Sequence, residues 1–167
     1  MIVVSDTSPL NYLVLINTID VLPSLFHEVY VPPKVMEELR QPKTPELVKH
    51  WADSPPAWLK ILAPTTPFSA DARIDPGESQ AIALAKQLQA TALLIDDKKG
   101  RRVARQEGLN AVGTITVIEL AALKNLLELE KTLDALRGTN FRISATQIQA
   151  ALERHAARKL ADQNPLQ

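Results

Sequence analysis

The chain has 167 residues, 46% of them apolar and 23% charged, which suits one ordinary globular domain with a real core and excludes a disordered chain. Lys plus Arg and Asp plus Glu both total 19, so net charge leaves no footprint for nucleic acid and any such surface must be local. The chain has no cysteine, which excludes disulfides and thiolate metal sites and suits the reducing cytoplasm.

Ile2 to Ser5 reads as a short buried strand, β-branched and bounded by polar residues. "MIVVSDTSPLNYLVLI" lacks a basic leader and a small-residue cleavage site, so it reads as part of a domain and not as a signal peptide. No apolar run is long enough to span a membrane. "TSPLNYLVLI" opens a helix, with Ser8 as N-cap and Pro9 at the first helical position. "EVYVPP" is a second strand, and "PPKVMEELR" starts a helix behind two prolines. From Gln41 to Pro67 the chain is proline-rich, with a short helix at "TPELVKHW" and an edge strand at "WLKIL".

"DPGESQAIALAKQLQA" carries the clearest helix signal, with Asp75 at N-cap, Pro76 at N1 and Glu78 at N3. "TALLI" is a strand, "KKGRRVARQEG" a basic helix ending at Gly108, "LNAVG" a strand and "TITVIELAALKNLLELE" one helix. A tail helix, about 144–161, starts behind Ser144. Short strands alternating with helices predict an α/β fold with a parallel sheet. The expected organisation is a single domain over 1–167 with the tail helix packed on it.

In open parallel sheets, sites form beyond the carboxyl ends of the strands. That places weight on Asp6, after the first strand, and on Asp96 and Asp97, after "TALLI". Taken alone, Asp6 is also good turn chemistry, and adjacent acids often merely end a strand. Alternation along an extended backbone lets only one of Asp96 and Asp97 face a site. Glu78 has a purely structural role as the second half of a capping box, yet Gly77 beside it leaves room for a group to approach the backbone. Glu37 and Glu38 separate by geometry. On the face defined by Val35, Met36 and Leu39, Glu38 lies roughly 107° from the centre and Glu37 roughly 153°. Glu38 can therefore look into a cleft while Glu37 points to water.

Four segments thus each offer a carboxylate, a set that repels itself unless a cation neutralises it or some acids stay protonated. All-oxygen donors favour Mg²⁺ or Mn²⁺ over zinc. The three histidines show no paired metal spacing. Lys98, Lys99, Arg101, Arg102 and Arg105 follow the acids directly and form either a phosphate-facing rim or an ordinary solvated helix face. With 4% aromatics, stacking platforms for bases are scarce.

Read in order, "VVSDTSPL", "VPPKVMEEL", "DPGESQAIALA", "LLIDDKKGR" and "VGTITVIELA" resemble a PIN-domain nuclease, and more narrowly the VapC-like branch with a DTSPL start and a GE-AI-LA helix. The resemblance covers nearly the whole chain. It implies a PIN-like three-layer α/β/α sandwich with a central parallel sheet, and acids that bind Mg²⁺ (or Mn²⁺) to hydrolyse RNA phosphodiester bonds. By motif, Asp6, Glu38, Glu78 and Asp97 match the catalytic and metal-binding acids, with Asp96 as an additional acid. Ser8 matches a supporting hydroxyl, and Lys98, Lys99, Arg101 and Arg102 would bind RNA phosphates. Glu78 stands where many members have Asp. Ile95 stands where a Thr or Ser usually precedes the last acid by two residues.

The resemblance further implies a metal-dependent endoribonuclease, the toxin of a toxin–antitoxin pair, with RNA and a cognate antitoxin protein as partners. Apolar faces on "TITVIELAALKNLLELE" and the tail helix could pair subunits in a homodimer. The rival reading is a PIN-like RNA-binding or regulatory module with weak or no nuclease activity, which Ile95 and Glu78 favour. A phosphatase-like or receiver-like α/β domain also clusters strand-end acids, but a receiver carries its acidic pair near the start of the chain and here it comes late.

Overall fold

A computed structural model describes residues 1–68 and 74–163, with the side chains of 162 and 163 excepted. The single-domain reading over 1–167 includes residues 69–73 and 164–167, which lie outside the described residues. The chain divides into two compact units, Met1–Thr114 and Ile115–Gln167.

The first unit is built on five parallel strands in the order β3-β2-β1-β4-β5. These are β1 (Ile2–Ser5), β2 (Glu28–Val31), β3 (Leu59–Ile61), β4 (Ala92–Leu94) and β5 (Ala111–Val112). In register, Val3 of β1 lies opposite Val29 of β2 and Ala92 of β4. Central strands of such a sheet are covered on both faces, so they read as apolar runs. Val3, Val4, Leu93 and Leu94 are all fully buried. β3, at the edge, buries only Leu59 of its three residues.

Helices flank the sheet: α1 (Thr7–Leu15), α2 (Val21–Leu25), α3 (Pro33–Leu39), α4 (Glu46–Asp53), α5 (Pro76–Gln87) and α6 (Lys98–Gln106). The parallel α/β fold expected from alternating strands and helices is the one observed. α5 packs its alanine-rich stripe, Ala81, Ile82, Leu84 and Ala85, into one core with Val4, Leu93 and Ile95. Small residues there let the helix lie close to the strands, and each methyl or methylene removed from water adds about 25 cal/mol per Å².

The second unit holds most of α7 (Thr114–Leu123), with α8 (Leu129–Arg137) and α9 (Ala145–Gln163). Leu133 and Leu136 of α8 and Ile148 and Ala151 of α9 are buried. Arg154 Nε donates to the buried Glu119 carboxylate at 2.9 Å, satisfying a charge that burial alone would penalise.

Two local expectations are corrected, and one helix was not expected. α1 begins at Thr7 with Asp6 as its N-cap residue, not at Pro9 behind Ser8, because the chain turns into the helix directly after β1. "TITVIELAALKNLLELE" is two helices, α7 and α8, broken at Asn125, whose φ is 55°. α2, which carries Pro23, was not signalled by any periodicity.

Candidate metal centre

Strand order reverses its direction of winding beside β1, between β1 and β4, and the crevice beyond the carboxyl ends of those strands is where such sheets place ligands. Asp6 leaves β1 at that point. Its N–H donates to the Leu94 carbonyl at 2.9 Å, which pins the acid to the end of β4. Asp6 is buried, and its Oδ1 has no hydrogen-bond partner. A buried carboxylate oxygen without a donor is costly and calls for a ligand or a proton. Burial, then Asp75, Glu78 and Glu38 beside it, push its pKa well above the usual carboxylate range, against a hydrogen bond from the Thr7 backbone.

Glu38 arrives from α3, half-buried on the flank of that helix. The Thr7 hydroxyl donates to its Oε2. Burial and the nearby Asp75 raise its pKa, while hydrogen bonds from Thr7 and the Gly77 backbone oppose the shift. Asp75 arrives from the start of α5. One carboxylate oxygen of each of Asp6, Glu38 and Asp75 lies within 4.8 Å of the others, a separation that one cation with oxygen ligands can bridge. The buried, donor-free Asp6 oxygen and the all-oxygen donor set fit a hard divalent cation.

Glu78 forms the capping box expected of it. Asp75 Oδ1 accepts from the Glu78 N–H at 2.8 Å, and Glu78 Oε2 accepts from the Asp75 N–H at 3.3 Å. Burial, then Asp75, Asp97 and Glu38, raise the Glu78 pKa to about 7. Its Oε1 faces Gly100 on α6, where a Cβ would come within 3.0 Å of it. Asp97 is the N-cap of α6, its Oδ1 accepting from the N–H groups of Lys99 at 2.7 Å and Gly100 at 3.0 Å. Cap and cleft-facing positions therefore coexist in both residues.

These acids line one cleft of about 530 Å³ together with Thr7, Ser8, Lys43 and Lys99. The structure thus brings Asp6, Glu38, Glu78 and Asp97 to one cleft, with Ser8 on its wall. It does not bring Asp96 there. Asp96 accepts from the Thr114 N–H at 2.8 Å and from the Thr114 hydroxyl at 2.6 Å, which ties β4 to the end of β5. Burial raises its pKa, opposed by the Thr114 hydrogen bonds and by Arg101.

The cations divide as well. Lys99 lines the acidic cleft, whereas Lys98, Arg101, Arg102 and Arg105 line a separate basic groove of about 530 Å³ along α6. Two cleft residues escaped sequence reasoning. Asp75 carries a strong local cap signal, and its place among Asp6 and Glu38 depends on contacts that signal does not show. Thr7 touches Glu38 across 31 positions of sequence, a contact that no local pattern announces. The Ile95 side chain is fully buried in the core beneath α6, so no hydroxyl supports Asp97 from that position.

A parallel α/β sheet with carboxylates clustered at its switch point is an arrangement able to hold a hard divalent cation. A family model described as PIN domain matches residues 2–157, and the chain belongs to the PIN-domain family. Among solved structures it is similar to a PilT N-terminus domain protein from the hyperthermophilic archaeon Sulfolobus solfataricus P2, with a TM-score of 0.51 and 16% sequence identity over 86% of this chain and 100% of that one. At that identity the likeness is one of fold. Comparison with curated proteins gave no match. PIN domains are typically nucleases that bind divalent metals and nucleic acid. Among the described residues, no helix is long and apolar enough to cross a membrane.

Proposed function

We propose that the protein is a Mg²⁺- or Mn²⁺-dependent endoribonuclease that hydrolyses RNA phosphodiester bonds in the cytoplasm. The observation that carries this reading is the buried Asp6 oxygen, without a hydrogen-bond donor, grouped with Glu38 and Asp75 at the switch point of a PIN domain. When bound, a divalent ion supplies hydroxide near neutral pH and neutralises charge on the phosphate oxygens. Asp6, Glu38 and Asp75 would hold it, with Asp97 and Glu78 closing the cleft on the α6 side. Lys99 and Lys43 would draw the phosphate backbone to the cleft, and Lys98, Arg101, Arg102 and Arg105 would extend that attraction along α6. The VapC-like motifs carry the toxin role, with an antitoxin protein as partner and a homodimer as assembly.

The test is Mn²⁺-dependent cleavage of single-stranded RNA by the wild type, Asp6→Asn and Asp97→Asn. We expect a loss of about 100-fold or more for Asp6→Asn, since one ligand to the metal is worth several kcal/mol of transition-state stabilisation. Asp97→Asn keeps the oxygen that caps α6 and removes only the charge, so it separates the cap from the chemistry. Equal residual cleavage by all three proteins would sink the nuclease assignment. In the same series, growth arrest on expression should follow wild type and not Asp6→Asn; arrest by both would end the toxin reading.

A second reading is favoured by one observation. Ile95 offers no hydroxyl to Asp97, whose Oδ1 is already engaged in capping α6. That suits a PIN-like RNA-binding module with weak chemistry. RNA and Mn²⁺ binding without cleavage would select it.

A further inference from the structure

The Glu38 carboxylate lies between a hydroxyl and a glycine. Thr7 Oγ1 donates to its Oε2, and Gly77 leaves the space that its two oxygens occupy. A larger residue at position 77 would displace that carboxylate. A Cβ there would lie 2.5 Å from each Glu38 oxygen and 2.7 Å from its Cδ. Backbone conformation is not the reason, because among the described glycines only Gly108 has a positive φ. The requirement is space. Gly77 and Glu78 are the second and third residues of α5, and the Glu78 N–H, one of the donors that a helix start leaves without an internal partner, goes to Asp75 Oδ1. The first turn of α5 therefore holds Asp75 by a hydrogen bond and borders Glu38 by its missing side chain, the two carboxylates grouped with Asp6, whose Oδ1 has no partner.

We propose that Gly77 and Thr7 are positioning residues that aim Glu38 at a divalent cation shared with Asp6 and Asp75. This rests on the metal-centre reading above and adds that the start of α5, and not α3 alone, sets the Glu38 ligand geometry. A side chain at position 77 would force the Glu38 carboxylate to move.

Mn²⁺ titration calorimetry on the full chain tests it. Groups that orient a ligand typically contribute 10- to 100-fold to metal affinity. Gly77→Ala should weaken Mn²⁺ binding by about that range, and Thr7→Val, which keeps the shape and removes the donor, by roughly tenfold. In a Glu38→Ala background, Gly77→Ala should cost nothing further, because the carboxylate it displaces is gone. Melting in EDTA monitors folding of each variant; if Gly77→Ala does not fold, Thr7→Val and its cycle with Glu38→Ala decide the question. Wild-type Mn²⁺ affinity in Gly77→Ala and Thr7→Val, with affinity lost in Asp6→Asn, overturns the positioning role and leaves the metal centre standing. Additive losses from Gly77→Ala and Glu38→Ala overturn it too. If neither Asp6→Asn nor Glu38→Ala alters Mn²⁺ binding, the metal-centre reading itself fails and the positioning role falls with it.

Discussion

Asp96 and Asp97 leave β4 in opposite directions because an extended backbone alternates the sides to which it sends its side chains. Asp97 looks into the acidic cleft and caps α6, while Asp96 takes both donors of Thr114 and sits near Arg101. Gly113 makes that arrangement possible, since a Cβ there would meet Asp96 Oδ1 at 3.0 Å and an Arg101 guanidinium nitrogen at 3.2 Å. Removing the Asp96 carboxylate leaves the buried Thr114 N–H and hydroxyl without a partner, which costs about 1–3 kcal/mol. Asp96→Ala should therefore lower the urea midpoint by a matching amount and leave Mn²⁺ affinity unchanged. Asp96→Asn, which still presents an acceptor to the Thr114 N–H, should be milder. A drop in Mn²⁺ affinity for Asp96→Ala at temperatures where it is fully folded would return Asp96 to the metal site.

At the level of elements, four helices end on one device. α1, α5, α6 and α7 each close with a residue of positive φ: Asn17, Gln89, Gly108 and Asn125. In each case the following N–H bonds back five residues, as Leu126 does to Ala121 at 2.9 Å and Ala90 to Ala85 at 2.9 Å. Glycine favours this left-handed position and Asn tolerates it, whereas other residues are strained there by about 1 kcal/mol. Gln89→Gly should thus raise stability by about 1 kcal/mol, and Asn125→Ala should lower it by about the same amount, read as shifts in the urea midpoint. Opposite signs would show that these caps do not set the helix ends. The same device explains what sequence reading could and could not see. Gly108 announces its cap, so the end of the basic helix was legible. Asn125 sits among Leu123, Leu126, Leu127 and Leu129, whose apolar pattern continues across the break, so two helices read as one. α5 was legible because Asp75, Pro76 and Glu78 each carry a local start signal. Asp6 and Glu38 drew attention through a strand end and helix phase, which local geometry dictates, whereas the choice of Asp97 over Asp96 and the site role of Glu78 rested on the resemblance to PIN motifs. Asp75 as a cleft acid, Thr7 as a donor to Glu38 and the diversion of Asp96 to Thr114 depend on which segments the fold brings together, and that lies outside any single window of sequence.

At the level of the whole molecule, the acid cluster couples stability to both pH and metal. Asp6, Glu38 and Glu78 all have folded pKa values above their ordinary ones, chiefly through burial, with Glu78 raised to about 7. An acid whose pKa is higher when folded stabilises the fold below its unfolded value and loses that contribution as pH rises through the folded value. For Glu78 the loss runs from pH 4.5 to about 7, and Asp6 and Glu38 act with the same sign. Metal-free protein should therefore melt lower at pH 7.5 than at pH 5, by roughly 5 °C for a chain of this size. A divalent cation binds only the ionised cluster, so its stabilisation grows in the same window. At a hundred times its dissociation constant it adds about 2.7 kcal/mol, enough to offset much of the fall. Asp96 is also raised by burial, but it lies outside the cleft, so its share of the pH dependence should persist with metal present. Differential scanning calorimetry from pH 5 to 8, in EDTA and in Mn²⁺, separates these contributions. Asp6→Asn should abolish the Mn²⁺ response and remove only the Asp6 share of the EDTA profile, leaving the shares of Glu38, Glu78 and Asp96. A Mn²⁺ response that survives Asp6→Asn would place the metal elsewhere in the chain.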